Sequence, residues 1–131
     1  YSRCVGFDGG RFNLLFGRDE MLLAALTVGA EGAVGSTYNF AAPYYHEVIR
    51  AYRAGNMQAA RSAQARANEV IAAFKQYGGL AAQKAIMRMI GVDCGPVRLP
   101  LRPLGCAEHQ ELKARLAELG FFQVVQPAAS K

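Results

Sequence analysis

The chain has 131 residues, 52% of them hydrophobic and 19% charged, which is enough for one domain with a real core and excludes a disordered segment. No apolar run approaches the roughly 20 residues that cross a bilayer, and Arg3, Asp8 and a glycine pair stand where a secretory signal has its apolar core. No membrane association and a cytoplasmic location are therefore expected. The net charge of +5 would suit a nucleic-acid binder only if gathered into a stripe. Arg50, Arg53, Arg61, Arg66, Lys75 and Lys84 instead alternate with alanine along predicted helices, as solvated faces do, and no nucleic-acid partner is expected. Cys4, Cys94 and Cys106 are widely spaced, and with only His46 and His109 beside them they make no zinc pattern. Cys94 and Cys106 could bridge across a proline-rich loop, but reduced thiols are expected in a cytosolic chain.

In chain order, residues 1–12 read as the tail of an earlier element followed by a Gly-Gly turn. "NLLFG" (residues 13–17) is a short apolar run closed by glycine, which predicts a strand buried on both faces. "RDEMLLAALTVGA" then places Met21, Leu22, Ala25 and Leu26 at helical spacing, with acids in the first turn. "GAVGST" (residues 32–37) predicts a second strand, made of small residues. Strand, helix, strand in so little sequence is a βαβ unit, so the two strands should be parallel neighbours.

Beyond Asn39 the pattern turns helical. "PYYHEVIRAYRAG" predicts a helix with Pro43 near its first turn. "NMQAARSAQARANEVIAAFKQYG" predicts a long one, with Asn56 as N-cap, Ala60, Ala63, Ala67, Val70, Ile71 and Phe74 on its inner face, and Gly78 as its stop. "LAAQKAIMRMIG" predicts a third and "HQELKARLAELG" a fourth, joined by an extended connection with three prolines. Two parallel strands cannot stand alone, because such sheets need more strands and covered faces. The chain therefore reads as the carboxyl-terminal half of a larger fold.

Ligands of parallel α/β folds sit beyond the carboxyl ends of the strands. Asp19 and Glu20 follow the first strand there, and Ser36 and Thr37 follow the second. Each pair has a structural reading as a helix cap. The alternative is a shared rim on which carboxylates, a hydroxyl and the bare backbone of Gly17 and Gly35 hold a polyol, whose hydroxyls both donate and accept. The other candidates point to structure. His46, beside Tyr44 and Tyr45, reads as a packed or interface residue, Met87 and Met89 as core filler, and Lys84 as structural although a buried lysine can act as an amine nucleophile. No phosphate-binding loop, dinucleotide fingerprint, nucleophile elbow or metal-ligand pattern is present.

The stretches "LFGRDEMLLAAL", "GAEGAVGSTYN" and "QKAIMRMIG…GPVRLPL" closely resemble the N-acetylneuraminate lyases (sialic acid aldolases) of the dihydrodipicolinate synthase superfamily, from about Phe12 to the last helix. "GSTYN" preceded by G-x-D-E points to the sialate branch. The resemblance implies α/β architecture: the end of a (β/α)8 barrel, strands 7 and 8, in residues 1–54, and a carboxyl-terminal helical extension in residues 55–131. It implies reversible cleavage of N-acetylneuraminate to N-acetylmannosamine and pyruvate through a lysine Schiff base, without metal or cofactor, in a homotetramer. It further implies substrate contacts at Gly17, Asp19, Glu20 and Ser36, with Gly35 beside them and Asp19 also capping its helix. The G-x-K lysine of that family, its proton-relaying phenol and its G-T-T-G-E loop are not found here, so no catalytic residue is assigned. Another pyruvate-dependent keto-acid aldolase of the superfamily, or a non-catalytic fragment acting only by association, are the alternatives.

Overall fold

The computed structural model describes residues 1–125. A helical turn, α1 (Ser2–Val5), and a 3-10 turn precede β1 (Leu15–Phe16). The chain then passes through a 3-10 turn at Asp19–Met21 into α2 (Leu22–Thr27), β2 (Gly32–Ala33) and five further helices: α3 (Tyr38–Arg53), α4 (Met57–Lys75), α5 (Leu80–Met89), α6 (Cys106–Glu118) and α7 (Phe121–Val124). β1 and β2 pair in parallel, Leu15 with Gly32 and Phe16 with Ala33, so the expected βαβ unit is present.

That sheet is smaller and barer than the apolar pattern predicts. Each strand holds two residues, and Leu15 and Val34 are 53% and 58% exposed. A run reads as doubly buried only when layers cover it, and among the described residues β1 has one neighbouring strand. The phase of the next helix also differs. Its first turn is 3-10, with three residues per turn, so Met21 swings to solvent while Leu22, Leu23 and Ala25 are buried.

The core lies among the helices. Ala60, Ala63, Ala67, Val70, Ile71 and Phe74 are all buried, as their spacing predicts, and α4 packs along α3 against Tyr44, Tyr45 and Val48. The alanine stripe thus brings two helices of this chain together. Asn56 caps α4, its Oδ1 accepting the Ala59 N–H at 3.0 Å. α3 starts at Tyr38, five residues before the proline, and is kinked at Ala41 (φ −123°, ψ 18°). Pro43 has no N–H for the carbonyl of Asn39 and its ring crowds that turn, so the regular helix resumes only after Ala41. His46 is exposed rather than packed within the chain.

The connection between α5 and α6 has no regular structure, in keeping with its prolines. α6 begins at Cys106, three residues before the predicted start, where Glu108 makes the half of a capping box that runs from the third helical residue back to the N-cap, Gly105 having no side chain for the other half. The Glu108 carboxylate accepts the Gly105 N–H at 2.8 Å and both arms of the Arg102 guanidinium at 2.7 and 2.6 Å. The hydrogen bonds from Arg102 hold this carboxyl down at about 2. All three cysteines are free and exposed, so no bridge joins Cys94 to Cys106. α7 is absent from the periodicity reading, yet Phe121 is 0% exposed and meets Phe40, Tyr44 and Phe122. Phe121→Ala should lower stability by about 3–5 kcal/mol in urea unfolding, and Phe122→Ala, at a half-buried position, by less than half as much.

Candidate functional site

Parallel pairing sends the loop after β1 and the loop after β2 out of the same end of the sheet. Val34 N–H donates to Phe16 O at 2.9 Å, holding the two exits side by side. Residues 17–20 and 35–37 therefore meet along one rim. Gly17, Asp19, Glu20, Gly35 and Ser36 all line a single groove of about 400 Å³, whose other wall is α4 and the start of α5, through Ile71, Phe74, Lys75 and Gln83.

Asp19 is the buried member of the set, at 6% exposure. It does not cap its own helix. Its Oδ2 accepts the Thr37 backbone N–H at 3.0 Å and the Thr37 hydroxyl at 2.5 Å, so it serves the amino end of α3 instead. A carboxylate only accepts, so the Thr37 hydroxyl donates to Asp19, and its remaining contact, 2.7 Å from Tyr45 Oη, receives the phenol proton. The order Tyr45, Thr37, Asp19 is one directed chain of hydrogen bonds. Gly35 belongs to the same arrangement: a Cβ there would fall inside the Asp19 carboxylate. Close approach is what this glycine permits, and the approaching group is Asp19.

The remaining rim groups are open. Glu20 is half-buried between two cations, with Arg18 Nε 3.7 Å from one oxygen and Lys75 Nζ 3.7 Å from the other. The Ser36 hydroxyl has no hydrogen-bond partner among the described residues, while its carbonyl accepts from the side chain of Asn39 at 2.9 Å. At Gly17 a Cβ would meet nothing closer than 3.9 Å, so the backbone there faces free space.

Four groups escaped the sequence reading: Thr37 in its buried role, Tyr45, Gln64 and Asn68. Gln64 Oε1 accepts Leu23 N–H at 2.9 Å, and its amide nitrogen donates to Asp19 O at 3.2 Å and Asn68 Oδ1 at 2.9 Å. Asn68 Nδ2 donates to Glu20 O at 3.3 Å. The signal was a polar amide on an apolar face, since Gln64 lies one turn from Ala60 and Ala67. Lys84 lies in another groove, its Nζ donating to Cys94 O and Pro96 O at 3.0 and 2.9 Å and tying the connection to α5. Among the described residues no three His, Cys, Asp or Glu side chains converge as a metal site.

Two predictions follow from the buried chain. Gly35→Ala should displace the Asp19 carboxylate and lower stability by about 1–3 kcal/mol in denaturant titration. Burial, with Asp19 nearby, pushes the Tyr45 phenol from 10.0 up to about 12 and raises Tyr38 as well. A phenol whose folded pKa is raised contributes stability that is complete below pH 10 and lost as pH rises toward 12. Thermal midpoints should therefore fall over that window, and Tyr45→Phe should make the fall shallower.

The chain matches the dihydrodipicolinate synthetase family over residues 7–119. It is 39% identical to N-acetylneuraminate lyase A of Xenopus laevis over 122 residues, which are 91% of this chain and 40% of that protein. It is 38% identical to the N-acetylneuraminate lyase of Rattus norvegicus, covering 93% of this chain and 39% of the relative. Among solved structures, N-acetylneuraminate lyase of Proteus mirabilis superposes with a TM-score of 0.87 at 38% identity, over 92% of this chain and 41% of that one. A dihydrodipicolinate synthase, 22% identical with a TM-score of 0.69, shares the fold. The chain thus spans about two-fifths of the length of the curated relatives it matches. From this match over most of its length, the chain belongs to the dihydrodipicolinate synthetase family.

Proposed function

We propose that this chain carries the sugar-recognition half of an N-acetylneuraminate lyase active site, in which N-acetylneuraminate is cleaved reversibly to N-acetylmannosamine and pyruvate. One observation supports the reading above the others: five residues from two loops, named from sequence as a polyol rim, line a single groove. In this role Glu20 accepts sugar hydroxyl protons, Ser36 both donates and accepts, and Gly17 lets the backbone approach the polyol chain. Asp19 and Gly35 keep the two loops in contact beneath it.

On this reading residues 1–54 are the closing part of a (β/α)8 barrel, with β1 and β2 as its seventh and eighth strands, and residues 55–131 are the helical extension. The exposed apolar side chains of Leu15 and Val34 fit strands and layers added beside them. A homotetramer is the expected assembly, and three free, exposed thiols suit the reducing cytoplasm. Carbon–carbon cleavage needs a protonated imine as electron sink on an amine close to the reacting carbon. Lys75 stands on α4, on the wall facing the rim and 3.7 Å from Glu20, and Lys84, on α5, is committed to two carbonyls, so neither stands on a strand. The nucleophile is therefore assigned to a part of the lyase outside these 131 residues.

Two measurements test this. Glu20→Gln and Ser36→Ala should each weaken calorimetric binding of N-acetylmannosamine by about five- to tenfold without changing the unfolding midpoint by more than a degree or two. Pyruvate followed by borohydride should leave the mass of the chain unchanged. A pyruvyl adduct on any lysine of this chain would contradict the assignment of the nucleophile.

A further inference from the structure

A primary amide on the apolar face of a helix is costly to bury unless its hydrogen bonds are made. Gln64 sits on such a face, among Ala60, Ala63 and Ala67, and it is buried. Its carbonyl oxygen takes the Leu23 N–H, and its nitrogen serves the Asp19 carbonyl and Asn68. Asn68, one turn on, serves the Glu20 carbonyl. Three of these four bonds end on the backbone of residues 19–23, and the fourth joins the two amides to each other.

We propose that Gln64 and Asn68 are positioning residues for the polyol rim, so that α4, in the helical extension, sets the geometry with which the barrel loops meet the sugar. The inference rests on the reading of the groove given above. With the carbonyls of Asp19 and Glu20 both fixed, the two consecutive side chains leave the turn in set directions. That of Asp19 reaches Thr37 in the second loop, and that of Glu20 enters the groove between Arg18 and Lys75. Lys75 stands about three turns beyond Gln64 on the same helix. One helix therefore supplies the scaffold under the acidic pair and a cation against its outer member. A shift of α4 would move carboxylate, hydroxyl and cation together.

The test compares the chain with Gln64→Met, Asn68→Leu and Leu112→Ala, the last deleting a buried α6 side chain that does not line the groove. Amide hydrogen exchange at Thr37 and Leu23, referred to α5, is read beside calorimetric affinity for N-acetylmannosamine. Gln64→Met should speed exchange at both amides by about tenfold and weaken the sugar at least ~fivefold, while Leu112→Ala lowers the thermal midpoint and leaves both ratios alone. Equal effects from Gln64→Met and Leu112→Ala would overturn the positioning role. If the chain binds no N-acetylmannosamine while Thr37 exchange still separates the variants, the polyol reading falls and the positioning of the rim stands. If the sugar binds and Gln64→Met changes neither readout, the positioning role falls and the polyol reading stands. Should Gln64→Met fail to fold, Asn68→Leu, at a half-buried site, carries the same comparison through Glu20.

Discussion

The Asp19 carboxylate reaches from the loop after β1 to Thr37, the N-cap residue of the helix after β2, and much of the molecule is arranged so that it can. Thr37 offers it a backbone N–H and a hydroxyl. Gly35 gives up a side chain to make room, and Tyr45 completes the second side of the hydroxyl. A hydrogen bond to a charged group contributes about 1.5–3 kcal/mol, and this one also sets a negative charge at the positive end of a 16-residue helix. Because the strands are only two residues long, this contact and the β-pairing together hold the two loops in register.

That arrangement explains why the rim can be both firm and open. The groups that face the groove, Glu20, Ser36 and the backbone of Gly17, are spared from structural duty because Asp19 and Thr37 perform it beneath them. α4 closes the system from outside. Its alanines allow close approach to α3, its two amides grip the acidic turn, and Lys75 reaches over the groove wall.

Much of this was legible in the residues. The apolar runs around Leu15 and Ala33 with a short helix between them specify a parallel βαβ unit, and the alanine spacing in residues 57–75 specifies the inner face of α4. The placement of the two polar pairs beyond the strands follows from topology alone. Other features depend on contacts distant in sequence. The caps expected of Asp19 are local, yet its partner lies 18 residues away, and no spacing rule encodes that distance. The start of α6 depends on an arginine six residues before Glu108, and the 3-10 turn at Asp19–Met21 rotates the next helix away from the phase its pattern suggests. α7 is too short for periodicity to register, although Phe121 fills the centre of the core. Gln64 went unread although it breaks an apolar face, because its backbone partners lie more than 40 residues away in sequence.

The most direct measurement is a chemical-shift titration of the 15N-labelled chain with N-acetylmannosamine. Saturable shifts are expected at the amides of Gly17, Glu20, Gly35 and Ser36, extending to Lys75 on the facing helix and sparing the groove around Lys84. Shifts confined to the α5–α6 groove, or none at any concentration that leaves the chain folded, would contradict this placement of the sugar.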